Sequence, residues 1–210
     1  MKNVFLCRLI LLTTLSCVFV IASQAKEKGN NNLSAKNVLM LGLTDNVKSN
    51  YFPKRMITNE TGIKEDMICR EYNAIIMENI MASTSSNGAC MFIPASSAYN
   101  WVNLIRVEGE GDESYSDVSS VPIDEYREAL DMAGAEYLLV VNQHYLKWQE
   151  KPMRTLFHIV SYTLFDKDQN EVYRGNSYFT CMNLETPDKL RKTSSKTSSR
   201  IASTITNQIK

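Results

Sequence analysis

Three apolar runs between Glu136 and Met182 constrain this chain more than any other feature of it. They read EYLLVVNQHYLKW (136–148), RTLFHIVSYTLF (154–165) and EVYRGNSYFTCM (171–182). Each is rich in β-branched and aromatic residues, which suit a pleated, half-buried surface. The connections, Gln149–Met153 and Asp166–Asn170, are short and carry turn formers. Links of that length leave consecutive strands little choice but to pair antiparallel. The remainder of the chain then has to cover this meander.

Upstream, strand and helix patterns alternate. Asn37–Leu43 is a compact apolar run, read as a first, buried strand. Thr44–Glu65 carries Asp45, Asn46, Pro53 and Gly62 and is read as a long loop and a candidate binding edge. Asp66–Ser83 has helical periodicity: Ile68, Tyr72, Ile75, Ile76 and Ile80 share a stripe, with Arg70, Glu71, Asn73 and Glu78 off it. Ser83–Gly88 ends that helix and Cys90–Pro94 is a second strand. Ser96–Val107 is read as another helix, with Ala98, Trp101, Val102 and Ile105 on one face. Glu108–Asp117 is read as a solvated acidic loop, because its spacing does not match an EF-hand. Pro122, Asp124 and Glu125 open a helix with Ile123, Tyr126 and Leu130 inward, and Gly134 stops it. A last helix runs from Thr186-Pro187-Asp188 to Lys210, with Leu190, Thr197, Ile201, Ile205 and Ile209 on one face. The expected fold is therefore a single α/β (α+β) domain over 37–210. It has a mixed, mostly antiparallel sheet of about five strands under three or four helices, in the order β-α-β-α-β-β-β-α.

Residues 1–25 read as an export signal. Lys2 and Arg8 precede the uncharged run Leu9–Ala22, and Ala22-Ser23-Gln24-Ala25 offers small residues for cleavage after Ala25. An uncleaved anchor is the other reading, although the run falls short of the roughly 20 residues that span a bilayer. Cys17 makes a poor lipidation site, since Leu15 stands one place late and apolar residues follow. Residues 26–36 are polar and Asn-rich, a flexible lead-in. Removing Lys2 and Arg8 tips the balance of 23 basic and 23 acidic residues slightly negative, which argues against a nucleic-acid binder. Cys69, Cys90 and Cys181 remain, an odd number; three buried thiols or a Cys90–Cys181 pair are both open.

Chemistry has few places to reside. No Ser sits in a Gly-flanked elbow, and no P-loop or dinucleotide fingerprint occurs. The two histidines, His144 and His158, fall in the first hairpin. Pairing Trp148 with Arg154 would set them directly opposite each other, where Tyr178 could serve as a third ligand to zinc. Such sites need three or four ligands, so two half-buried histidines without metal are the expected arrangement. No cofactor is expected. Tyr51, Phe52, Trp101 and Tyr115 lie in or near loops and are candidate anchors for a protein partner. The last helix carries Lys189, Arg191, Lys192, Lys196, Arg200 and Lys210, which suggests peripheral contact with a membrane or cell-wall polymer.

The element order, together with AGAEYLLVV (133–141) and LFDKDQNEVYRGNSYF (164–179), resembles a group of bacterial envelope domains. That group includes the amino-terminal domain of TolB, the lipoproteins LpoB and PelC, and the periplasmic core of CsgG. TolB's propeller, a formed lipobox and CsgG's membrane-inserting segments have no counterpart here. The resemblance implies a non-enzymatic module of a Gram-negative periplasm that binds envelope proteins or self-associates. A small-molecule or glycan binder using the 44–65 and 108–117 loops is the alternative. A hydrolase or metal-dependent enzyme built on His144 and His158 is the third reading.

Overall fold

A computed structural model describes residues 36–84, 90–95 and 99–209. The expected leader, most of the lead-in, the 85–88 helix stop, residues 96–98 of the expected helix and Lys210 lie outside the described residues.

Strand β1 (Lys36–Gly42) is an inner strand, parallel to β3 (Cys90–Pro94) on one side and to β6 (Tyr137–Gln149) on the other. A strand flanked on both edges and both faces must be apolar in both phases of its alternation, as NVLML is. Val38 and Met40 enter one core; Leu39 and Leu41 enter the other. β6 then pairs antiparallel with β7 (Thr155–Asp166), and β7 with β8 (Glu171–Cys181). The 13-residue β6 outruns β1 and finds a second parallel partner in β2 (Val47–Ser49). The change of partner coincides with a break in the β6–β7 register between Val141 and Gln143. The main sheet has six strands where the sequence suggested five; the extra one is β2.

Helix α1 (Lys54–Thr61) is followed by α2 (Ile68–Thr84), which lies with α4 (Pro187–Gln208) on the first core. All five residues of the expected α2 stripe are buried, as are Leu190, Thr197, Ile201 and Ile205 of α4. The other face takes α3 (Ile123–Met132), whose Tyr126, Ala129 and Leu130 pack on Leu138 and Val140. Gly134, at φ 60°, turns the chain from α3 into β6 as the sequence suggested.

Three expectations are corrected. The 44–65 stretch is not simply loop: it contains β2 and α1. Pro53 starts α1, and Gly62 at φ 78° ends it with its N–H on the Thr58 carbonyl. Residues 99–107 do not form an α-helix. Asn100–Leu104 make a 3-10 turn that drives Trp101 into the second core, and Arg106–Glu108 is strand β4. The acidic stretch is a hairpin and not an open loop, because β4 pairs antiparallel with β5 (Tyr115–Asp117). Gly109 and Gly111, at φ 73° and 63°, supply its left-handed corners.

Candidate functional site

The two histidines do meet, though not as a directly opposed pair. The hairpin register sets His144 against Val160 and His158 against Leu146, so the imidazoles are diagonal neighbours. The loop lies one residue further along than expected, which shifts pairing by two and keeps both rings on one face. His144 Nε2 and His158 Nδ1 are 3.0 Å apart. Tyr72 of α2 packs edge-on against His144 at 4.8 Å, and Phe179 of β8 stacks on His158 at 4.5 Å. Tyr178 is corrected as a third ligand: it pairs with Ile159 and projects from the opposite face of the sheet, 55 % exposed. Among the described residues, no three His, Cys, Asp or Glu side chains are placed to hold a metal. Cys69, Cys90 and Cys181 are free thiols. Burial pushes the Cys90 and Cys181 thiols up, away from the thiolate that nucleophilic chemistry requires.

Both rings are kept neutral. Burial depresses the His144 pKa to about 3; burial and the neighbouring His144 hold His158 well below its ordinary value. A neutral pair shares one N–H between the rings. The outer nitrogens, His144 Nδ1 and His158 Nε2, have no hydrogen-bond partner among the described residues, nor does the Tyr72 hydroxyl. This is a buried polar cluster inside an apolar core, not a site open to substrate.

A polar cleft lies elsewhere, at the carboxyl end of β1. It encloses about 410 Å³ between Thr44–Lys48 on one wall and Val107–Glu110 on the other, with Asn142 and Gln143 of the β6 break as its floor. Below it, Asn46 and Asn73 exchange carboxamide hydrogen bonds at 2.9 and 3.2 Å. Asn73 also donates to the Leu43 carbonyl and Asn46 to that of Val141. Asn73 lies off the apolar stripe of α2, yet it is buried, because Gly42 leaves room for it. Asn142 donates to Ser114 O and Thr163 Oγ1 and accepts from Ser116 Oγ, tying the β4–β5 hairpin to the sheet.

The third feature is a bare half-sheet. Where β6–β8 run past β1, one face carries His144, Leu146, Leu156, His158, Val160 and Phe179 under the helices. The reverse face, which no α-helix covers, presents Phe157 and Tyr178, with Ile159 buried between them at 8 % exposure, and Asp112, Lys147, Gln149 and Asn176 around a hollow of about 350 Å³. Phe157 and Tyr178 lie against one another, ring centres 6.1 Å apart. Met153 and Met182, 74 % and 75 % exposed, stand in the chain just beyond the strand ends.

The four aromatic anchors expected from sequence do not gather on this face. Tyr51 and Phe52 form a cluster with Trp148, Tyr51 stacking on it at 5.8 Å. Trp101 is corrected: at 3 % exposure it is a core residue against Tyr99 and Tyr126, and it cannot anchor a partner. Tyr115 lies under the Arg174 guanidinium at 4.2 Å and donates to Glu108, a bond that raises its pKa. Sequence reasoning missed Phe157 and Ile159, although they carry a signal. The run LFHIV is apolar in both phases, which asks for cover on both faces. On α4, Lys192, Lys196 and Arg200 are exposed, while Arg191 pairs with Glu78 at 2.9 Å. No described helix is long and apolar enough to cross a membrane.

No protein-family model matches the chain. No curated protein matches it either. Among solved structures, the chain is similar to a PelC dodecamer from Paraburkholderia phytofirmans at 10 % identity and a TM-score of 0.39, over 80 % of this chain and 87 % of that one. It is similar to the hypothetical protein CT253 from Chlamydia trachomatis at 11 % identity and 0.47, over 83 % and 98 %. The LpoB C-terminal domain from Salmonella enterica follows at 11 % and 0.28, over 69 % and 82 %. At such identities and scores, these likenesses assign the chain neither a family nor a function.

Proposed function

We propose that this protein is a non-enzymatic module of the bacterial cell envelope, exported by residues 1–25, that docks another envelope protein through the bare face of β6–β8. The observation that supports the reading is Tyr178, 55 % exposed, beside a partly exposed Phe157 on a sheet face that no α-helix covers. An apolar floor inside a rim of Asp112, Lys147, Gln149 and Asn176 is the arrangement of a protein-binding patch, apolar at the centre and polar at the edge. The aromatic pair supplies the kind of anchor on which binding energy concentrates. Enzymatic work on the histidines is disfavoured by their burial, which keeps both rings neutral and away from any substrate.

A photoreactive phenylalanine analogue at position 178, expressed in the native envelope, tests this. The expected result is a crosslink to one other polypeptide, with the protein itself fractionating outside the cytoplasm. Phe157→Ala should weaken capture at least tenfold, about 1.4 kcal/mol. Tyr178→Asp should do the same while changing stability by no more than about 0.5 kcal/mol, as exposed positions usually do. A crosslink pattern no different from that of a probe on exposed Glu125 would reject the docking face.

A further inference from the structure

We infer that the cleft at the carboxyl end of β1 binds an uncharged saccharide unit, a role separate from the docking face on β6–β8. Its position is the first reason. β1 leads through α2 to β3 on one side, and β3 leads through α3 to β6 on the other. Ligand crevices in sheets with parallel strands open where the strand order reverses in this way, outside the carboxyl ends. The volume of about 410 Å³ falls within the roughly 300–1,000 Å³ of ligand pockets.

The second reason is how its groups are held. Asp45 sits at φ 55°, a left-handed conformation that aspartate tolerates better than most residues. Lys48 and Lys54 each approach one of its carboxylate oxygens at 2.8 Å. Gln143 accepts the Gly111 N–H on Oε1 at 2.7 Å, which fixes the carboxamide and leaves Nε2 as an oriented donor. Gln143 is 5 % exposed and lines the cleft, so a ligand that supplies an acceptor there can take up the Nε2 hydrogens.

Charge selects the class of ligand. The lining carries Asp45 and Glu110 against Lys48, and Lys54 outside it also pairs with Asp45, so it offers no net attraction to a phosphate or a carboxylate. What it offers instead is donors and acceptors at close quarters: the Gln143 amide, the Lys48 ammonium, the Thr44 hydroxyl, and the carboxylates of Asp45 and Glu110. Hydroxyl groups, which donate and accept at once, match such a lining. Val107, partly exposed on the far wall, gives the C–H face of a sugar ring an apolar surface.

Saturation-transfer NMR on the full chain with glucose, galactose and N-acetylglucosamine, beside glycine and with inorganic phosphate added as a competitor, tests the inference. At least one sugar should receive saturation. Gln143→Glu keeps the acceptor for the Gly111 N–H but removes the Nε2 donor, and should weaken binding five- to tenfold. Lys48→Gln, on the surface and with Lys54 still holding Asp45, should act in the same direction without disturbing the fold. Tyr178→Asp should leave sugar binding unchanged, so failure of the docking face and failure of this site can be told apart. No transfer to any sugar, transfer surviving both cleft variants, preference for glycine, or displacement of the sugar by phosphate would overturn it.

Discussion

Between roughly pH 7.5 and pH 5 the domain should lose about 4 kcal/mol of stability, because two histidines that ionise near pH 6.5 when unfolded stay neutral when folded. Their folded pKa values are depressed, so the unfolded chain binds the extra protons and stability falls as pH falls. The contribution is fully present above about pH 7.5 and drains as pH drops below 6.5, at up to about 2.7 kcal/mol per pH unit for the pair. It continues to drain until the native rings themselves protonate, near pH 3 for His144. The groups around the pair make the sign firm. Tyr72 from α2 and Phe179 from β8 face the rings, and no carboxylate contributes to either shift. The carboxylates held low, Asp45 by its Lys48 and Lys54 hydrogen bonds and Asp117 by Ser119, titrate below this window.

Urea unfolding at several pH values, followed by tryptophan fluorescence, measures the loss. The double variant His144→Phe/His158→Leu should flatten the dependence across this window. It should also be at least as stable as the parent at neutral pH, since it removes a buried donor and a buried acceptor that have no partners. An NMR titration placing either imidazole near pH 6.5 in the folded protein would refute the argument. A stability of about 5–15 kcal/mol, usual for a domain, would make the acid loss a large fraction of the total.

Gly42→Ala should cost about 3 kcal/mol, far more than its single added methyl suggests. A Cβ there would lie 2.6 Å from Asn73 Cγ and 2.8 Å from its Nδ2. Asn73 cannot swing away cheaply. Its Nδ2 is bound to the Leu43 carbonyl at 2.9 Å and to Asn46, which in turn reaches the Val141 carbonyl at 3.2 Å. Rotation would leave buried carbonyls unpaired, and retreat of the whole helix would open the core at Ile68, Tyr72 and Ile76. The double variant Gly42→Ala/Asn73→Ala separates the terms, since removing the carboxamide removes the collision. A double-mutant cycle should show coupling of about 1–2 kcal/mol. Gly42→Ala unfolding within about 0.5 kcal/mol of the parent would show that the β1–α2 contact relaxes freely, contrary to this account.

The stripes on α2, α3 and α4 were legible in the sequence, as were both long hairpins. In each, hydrophobic period and turn chemistry point to the same element. Elements of three residues carry too few periods to show, so β2, β4 and β5 were hidden. Residues 99–107 depart from the expected helix because Trp101, Val102 and Ile105 fit a helical face as well as they fit a turn feeding a strand. Only pairing with Tyr115–Asp117 settles the matter. The histidine contact was foreseen in kind and missed in register. Face parity survives a two-residue shift, while the ligand proposed at Tyr178 does not survive the alternation of β8.

By itself, the sequence determined that this chain builds a mixed sheet under amphipathic helices, because burial of periodic apolar residues is a local property of each segment. The tertiary structure alone decided which groups become functional. Gln143, Asp45 and Glu110 meet at one cleft only because β6 breaks register where β1 ends and β2 begins. Phe157 and Tyr178 become a surface only because the α-helices lie elsewhere, which no run of residues can state about itself.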